Sequence, residues 1–340
     1  MKKSMLFFVL SYILLSSEVG AAGLKTKALD HGLQPIPASK SALQKVTGKL
    51  DEKQVELGKK LFFDPRLSKS GLISCNTCHN LATGGTDGVS AAIGHMWSAN
   101  PHHLNSPTVY NAVFNAIQMW DGRFPNLEEQ AKGPIQAAPE MAAAPELVVN
   151  RLKSIPDYVT EFSKAFGSKK DGVTFDNVAK AIAAFEAILV TPSRFDDFLN
   201  GNKTALSAAE QAGLDLFIEK GCVSCHTGMG VGGSMMQPFP VVNDYKYASM
   251  GDFKGNKDGE VRVPTLRNIN RTAPYLHNGA VWSLDEAVKI MGWNQLGITL
   301  TDEERSKIAT FLRALDGRLP EITYPVLPPS TQATPRPDAT

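Results

Sequence analysis

Cys75-Asn76-Thr77-Cys78-His79 and Cys222-Val223-Ser224-Cys225-His226 are the two stretches on which the reading of this chain turns. They use all 4 cysteines among the 340 residues, and each Cys-x-x-Cys runs straight into a histidine. Two thiols three residues apart stand on one helical turn, where each can add across a haem vinyl group. The adjacent imidazole then projects under the iron as its proximal ligand. Cys75, Cys78 and His79 are therefore expected to hold one haem, and Cys222, Cys225 and His226 a second. A structural zinc site would set its cysteine pairs about 15–20 residues apart. These pairs begin at positions 75 and 222, a separation of 147. A thioredoxin-type dithiol needs a βαβ setting, and the surrounding pattern supplies none. Covalent haem is the reading that fits both spacing and context.

Around these motifs the chain repeats itself. Gly58-Lys-Lys-Leu61-Phe62 precedes the first motif, and Gly213-Leu-Asp-Leu216-Phe217 precedes the second. Late in each half a helical stripe appears: Phe175, Val178, Ile182, Phe185 and Leu189, then Ile308, Phe311, Leu312 and Leu315. Ser207 with Glu210, Ser283 with Glu286 and Thr301 with Glu304 fit capping boxes. Each half thus reads as helix, Cys-x-x-Cys-His, long loop, helix. Strand alternation is sparse, so the fold class is mostly α, with loops long enough to need a cofactor to organise them. The stretch 191–203, with Pro192 and Gly201, is the expected boundary between halves, and 326–340, with four prolines, reads as an extended tail.

Length and charge set outer limits. A chain of 340 residues suits two domains, and 35 Lys plus Arg against 34 Asp plus Glu argues against a nucleic-acid binder or a polybasic membrane protein. Lys2 and Lys3, the apolar run from Met5 to Leu15 and Val19-Gly20-Ala21 read as a cleaved secretory signal over 1–22. That run is far shorter than the ~20 residues needed to span a bilayer. The mature protein is expected in the periplasm.

The sixth iron ligands separate carrier from catalyst: His/Met ligation raises the potential, and an open position admits peroxide chemistry. His95 follows a glycine-rich segment, Gly84 to Gly88 and then Gly94, whose freedom suits a ligand that leaves. A loop histidine bonded to backbone is an equally good reading of the residues alone. His102 and His103 fall in a polar loop and are expected in solvent. Met291, at the end of a capped helix, competes with Met229, Met235 and Met236 for the second iron.

In order and content, Cys75 to His79, Ile93-Gly94-His95, Asn105-Ser-Pro-Thr108, Trp120-Asp-Gly-Arg123 and Glu129 to Pro134 resemble the bacterial dihaem cytochrome c peroxidases. So do Arg262 to Arg267, Ala273 to Gly279 and Lys289 to Gly292, and the resemblance runs from Leu57 to Leu315. It implies two class I cytochrome c-like haem domains: a peroxidatic, low-potential one over 23–195 and an electron-transfer, high-potential one over 196–325. It also implies that His79 and His95 ligate the first iron, and His226 and Met291 the second. Gln130 and Glu140 would line the peroxide pocket, with Trp120 between the haems. Calcium would sit between the domains, on Asn105, Thr272 and Pro274. Two departures stand out: a slightly longer loop from Trp97 to Asn105, and Met119 where many relatives carry an aromatic residue.

The activity implied is reduction of hydrogen peroxide with electrons from a small cytochrome c or blue-copper protein, by a homodimer. From spacing alone Glu140 is a charge in a polar loop and Trp120 is core packing. Two other activities are compatible with the paired motifs. One is a dihaem electron carrier without catalysis. The other is the related dihaem oxidases that mature a quinone cofactor on a partner protein, which carry Tyr where Met291 stands.

Overall fold

The computed structural model describes residues 20–167 and 172–338. Residues 1–19, and with them nearly all of the expected signal segment, lie outside the described residues. The elements run α1 (20–30), α2 (Lys40–Thr47), α3 (Glu52–Phe63), α4 (Cys75–Cys78), α5 (Leu127–Gln136), α6 (Pro145–Lys153) and α7 (Pro156–Phe166). They continue with α8 (Phe175–Glu186), α9 (Arg194–Leu199), α10 (Ala208–Glu219), α11 (Leu284–Ile290) and α12 (Asp302–Arg313). A two-stranded antiparallel hairpin, β1 (Met236–Pro238) with β2 (Glu260–Arg262), completes a mostly helical fold. No described helix is long and apolar enough to cross a membrane.

The repeated Gly-x-x-Leu-Phe motif builds the same crossing twice. α3 packs on α8 and α10 on α12, and a Cβ placed on Gly58 or Gly213 would strike the Ala181 or Lys307 carbonyl of the facing helix. Glycine lets the two backbones touch. Behind each crossing the motif's phenylalanine meets the stripe of the later helix: Phe62 on Phe185 at 5.3 Å and Phe217 on Phe311 at 5.4 Å. Such ring pairs add about 0.5–1.5 kcal/mol beyond the area they bury. Leu189 and Leu315, the last residues of the two stripes, lie just past the helix ends but remain buried. The capping boxes of α10 and α12 are complete. At α11 only the Ser283 side chain caps, because Glu286 turns outward to Lys246 at 2.6 Å.

Duplication extends into the loops. Pro107-Thr108-Val109-Tyr110-Asn111 has its counterpart in Pro264-Thr265-Leu266-Arg267-Asn268. Thr108 Oγ1 donates to Gly84 O and Thr265 Oγ1 to Gly230 O, both at 2.7 Å. Asn111 and Asn268 both take left-handed backbone, at φ 62° and 60°. Both amides donate to the single Thr191 hydroxyl, at 2.7 and 2.9 Å. The two halves are thereby pinned together at one buried side chain.

The packing divides the chain differently from the expected boundaries. The first core draws on Val55 to Leu189, and the second on Phe195 to Leu315 plus Ala21, Ala28 and Leu33. Residues 23–33, expected with the first half, therefore pack in the second, where Leu33 bridges Gly228. The stretch 191–203 holds α9, whose Phe195, Phe198 and Leu199 are buried and whose Asp196 pairs with fully buried Arg267 at 2.7 Å. A buried ion pair and apolar burial thus fix that stretch into the second half, where a linker was expected. The proline-rich tail is extended as expected but lies against the first half. Buried Arg151 donates to Pro335 O at 3.2 Å and Arg336 O at 3.0 Å, and Arg66 to Pro328 O at 2.8 Å.

Candidate functional site

Cys75 opens the single turn α4 and Cys78 closes it, so both thiols share one face with His79 at the cap. Ser74 and Thr77 hold that turn as a capping box. His79 Nδ1 lies 2.9 Å from Pro107 O, so Nδ1 carries the proton and Nε2 is left as a lone-pair donor. Burial lowers the His79 pKa, which favours the neutral imidazole a metal needs. The same burial pushes the Cys78 thiol up to about 12, with Asp87 and Glu140 adding to it. A buried, protonated thiol pair beside an Nε2 with a free lone pair has the donor chemistry of a covalent haem site.

The second site repeats this with a lighter scaffold: a 3-10 turn, Cys222–Ser224, in place of α4. His226 is pushed down to about 4 by burial, against the Val231 and Pro264 carbonyls, and its buried Nδ1 makes no hydrogen bond of good geometry. Pro264 is the counterpart of Pro107, and a Cβ on Gly232 would sit 3.3 Å from that imidazole nitrogen. Cys222, Cys225 and His226 open on a largely apolar cavity of about 1510 Å³, mouth included, that also exposes Met291. The residues fit a haem c there. Met291 begins a π-helical turn, Met291–Gln295, that continues α11; such turns are frequent at functional sites. Of the four candidate methionines, Met291 lines this cavity and Met229, Met235 and Met236 do not.

His95 rides on a short strained loop. Met96 and Trp97 both adopt left-handed backbone, at φ 56° and 59°, and both are exposed. Consecutive non-glycine residues in that region store strain of about 1–3 kcal/mol each. The loop is held at its base: Ile93 O accepts from the Cys78 thiol at 3.2 Å, and Gly94 lies flat on the Pro139-Glu140 backbone. His95 Nδ1 is buried without a partner. The loop thus brings His95, Cys78 and Glu140 together.

Glu140 is half-buried, and burial raises its carboxyl pKa against the opposing pull of Arg123. Gln130 Nε2 approaches Met119 Sδ at 3.8 Å, so the methionine that replaces an aromatic faces the amide expected in the pocket. Trp120 is buried on the wall of the second cavity, and its Nε1 donates to Asn105 O at 2.9 Å. Asn105, Thr272 and Pro274 line the same wall. The expected site residues gather into two neighbouring clusters. His102 is exposed and meets Asp252 at 2.8 Å, whereas His103 is half-buried and bonds Asn278 O at 3.1 Å, a departure from the solvent position expected for it.

A family model described as di-haem cytochrome c peroxidase matches residues 52–204, and a cytochrome c model matches 210–316. The cytochrome c551 peroxidase of Pseudomonas aeruginosa is 49% identical over 314 residues, covering 89% of this chain and 90% of that protein. The chain belongs to the di-haem cytochrome c peroxidase family. The cytochrome c551 peroxidase of Nitrosomonas europaea is 46% identical, with 96% and 97% of the two chains covered. A methylamine utilization protein MauG of Methylorubrum extorquens is similar at 32% over 90% of this chain. Among solved structures, a MauG-like protein associated with microbial copper homeostasis superposes with a TM-score of 0.70 at 27% identity, covering 84% of this chain and 93% of its own. Membership in this family implies two haems c.

Three groups in these clusters escaped the sequence reading. Glu186, at the end of α8, is buried beside Cys75 with Oε2 unpartnered, and burial lifts its pKa to about 8. His277 stacks edge-on to Trp120 at 6.4 Å and is pushed down to about 4 by burial. Arg262 is buried on the second cavity's wall. Arg262 and His277 lay inside quoted motifs, but nothing in their spacing assigns either a partner.

Proposed function

We propose that the chain is a periplasmic di-haem peroxidase. It reduces hydrogen peroxide to two waters with two protons and two electrons, the electrons drawn singly from a small cytochrome c or blue-copper protein. When bound, the two haems c store and pass electrons and offer the iron at which peroxide is reduced. The observation that carries this reading is the inequality of the two clusters. Met291 is fixed on a helix at the second, while His95 stands on a strained loop beside Glu140 at the first.

Cys75, Cys78, Cys222 and Cys225 would form the thioethers, His79 and His226 the proximal bonds, and Met291 the sixth ligand of the second iron. His95 closes the first site until its loop yields. Gln130 then donates a hydrogen bond to peroxide. Glu140, its proton affinity raised by burial, takes a proton from one peroxide oxygen and returns it to the other, which favours cleavage between them. Trp120, on the wall of the second cavity with its Nε1 on the Asn105 carbonyl, would pass electrons between the two haems. Asn105, with the Thr272 and Pro274 carbonyls, would hold Ca²⁺ on that wall, oxygen donors being what this cation takes. The periplasmic assignment rests on the basic and apolar leader, and the homodimer on resemblance.

Purified exported protein is expected to carry the added mass of two haems, to show a high-spin signal after one-electron reduction with Ca²⁺ present, and to consume peroxide steadily. Two irons that stay six-coordinate, with negligible turnover, would leave an electron carrier instead.

A further inference from the structure

The internal repeat sets the two halves at an offset of 157 residues through this region: Pro107 answers Pro264, Asn111 answers Asn268, and Trp120 answers His277. The structure repeats with it. The Gln118–Phe124 and Tyr275–Val281 bridges correspond, as do Met119 and Leu276, both at φ 70°. At the same offset Asn105 answers Arg262. Their backbones make exchanged bonds, Asn105 N to His277 O and Arg262 N to Trp120 O, both at 2.8 Å. One structural position thus holds a neutral amide in the first half and a cation in the second.

That cation lacks an anion. Arg262 is 3% exposed and lines the cavity formed by Cys222, Cys225, His226 and Met291. Its Nε donates to Met119 O at 2.9 Å, which fixes the plane of the fork, while Nη1 is buried with no partner. Burial depresses its pKa to about 10, with no carboxylate acting in the other direction. An unpaired buried charge is strongly unfavourable, so such a group is retained where a ligand completes it. A haem c brings two carboxylates into this cavity.

We propose that Arg262 is a positioning residue that pairs with a propionate of the second haem and raises that haem's potential above the first. This rests on the di-haem reading above. Neutralising a propionate removes negative charge that favours ferric iron, and second-sphere charge and hydrogen bonding are among the means by which a protein sets a haem potential. The Asn105 side chain is itself uncharged at the equivalent place. Because the Arg262 side chain also holds the Met119 carbonyl, and its backbone N–H the Trp120 carbonyl, this residue would tie the propionate to the segment carrying Trp120.

Arg262→Gln and Arg262→Lys, both in the full-length exported protein, test this by redox titration of each haem. Mass spectrometry of each variant first establishes that two haems are attached. The ferrous-to-ferric ratio of the second haem at fixed ambient potential is expected to fall on the order of tenfold in Arg262→Gln, about 59 mV. Arg262→Lys, which keeps the charge, is expected to hold most of the wild-type value, and the first haem is expected to stay put in both. A second-haem potential unchanged in Arg262→Gln overturns the pairing. So does an equal fall in both variants. If Arg262→Gln does not accumulate, the wild type decides: a paired propionate stays ionised, so the midpoint is level between about pH 5 and 8. His277, neutral above about pH 4, does not titrate in that window. A midpoint that falls with rising pH across it marks a free propionate and overturns the proposal. A polypeptide with no attached haem would instead overturn the functional reading itself.

Discussion

At the residue scale, the proposed reaction gives Glu140 and His95 separate tasks at the first cluster. Glu140 gains proton affinity from burial while Arg123 restrains it, which leaves a carboxyl able to accept and return a proton. Glu140→Gln is expected to lower turnover by about 10²-fold or more, the usual worth of a positioned acid–base group. A steady-state rate equal to the parent would remove it from proton transfer. His95 precedes two strained residues, Met96 and Trp97, and movement of its loop would release that strain. His95→Gly is therefore expected to be active without prior reduction, read as peroxide consumption by the fully oxidised enzyme; a lag that persists refutes the gating role.

These residues differ in how far the sequence announced them. The four cysteines, His79 and His226 stood out in the sequence as haem-site candidates because thioether chemistry fixes a local spacing. Met291 stood in sequence as one of four candidates, and only the folded chain sets it apart, on the wall of the second cavity. Glu140 read as a loop charge, because its burial comes from Gly94 lying across it, a contact 46 positions back in the chain. The pairing of Asn105 with Arg262 was invisible for a related reason. The two residues share no chemistry, and their equivalence emerges from the repeated segments beside them and the matching backbone bonds.

At the element scale, the glycines of the repeated motif set how closely helices meet. Gly213→Ala places a Cβ against the Lys307 carbonyl and 2.9 Å from Phe311 Cβ, so α10 must move off α12. A loss of about 1–3 kcal/mol, typical of overpacking, is expected in denaturant unfolding; an unchanged midpoint would mean the crossing is looser than described. At the end of α8, Glu186 couples the first half's stability to pH. Its folded pKa near 8 exceeds the ordinary value of 4.5, so the folded chain holds a proton that the unfolded chain has released. Its contribution is complete below about pH 4.5 and is lost as pH rises through about 8. Thermal unfolding of the wild type is expected to fall relative to Glu186→Gln across that window; parallel curves would show that the carboxyl finds a partner.

At the scale of the whole molecule, the division into halves is less clean than the duplication suggests. Helix period, capping residues and motif order were enough to foresee two helical units. Which segment closes which core depends on contacts between chain ends, which no local pattern encodes. α1 and Leu33 close the second core, and 326–338 close the first around Arg151. Removing 326–340 takes two carbonyl acceptors, Pro335 O and Arg336 O, from that guanidinium, leaving Arg66 O, Ser68 O and Lys69 O. With charged hydrogen bonds worth about 1.5–3 kcal/mol each, the first half is expected to unfold at lower temperature in calorimetry, with the second little changed. Equal transitions in the truncated and intact proteins would make the tail a passive passenger.

That exchange of ends has a consequence for assembly. A chain delivered amino end first presents Cys75 and Cys78 long before the residues that seal their side of the molecule arrive. Completion of the first half around Arg66 and Arg151 therefore waits on residues 328–336, so the part that comes first in sequence is the one whose packing is finished last.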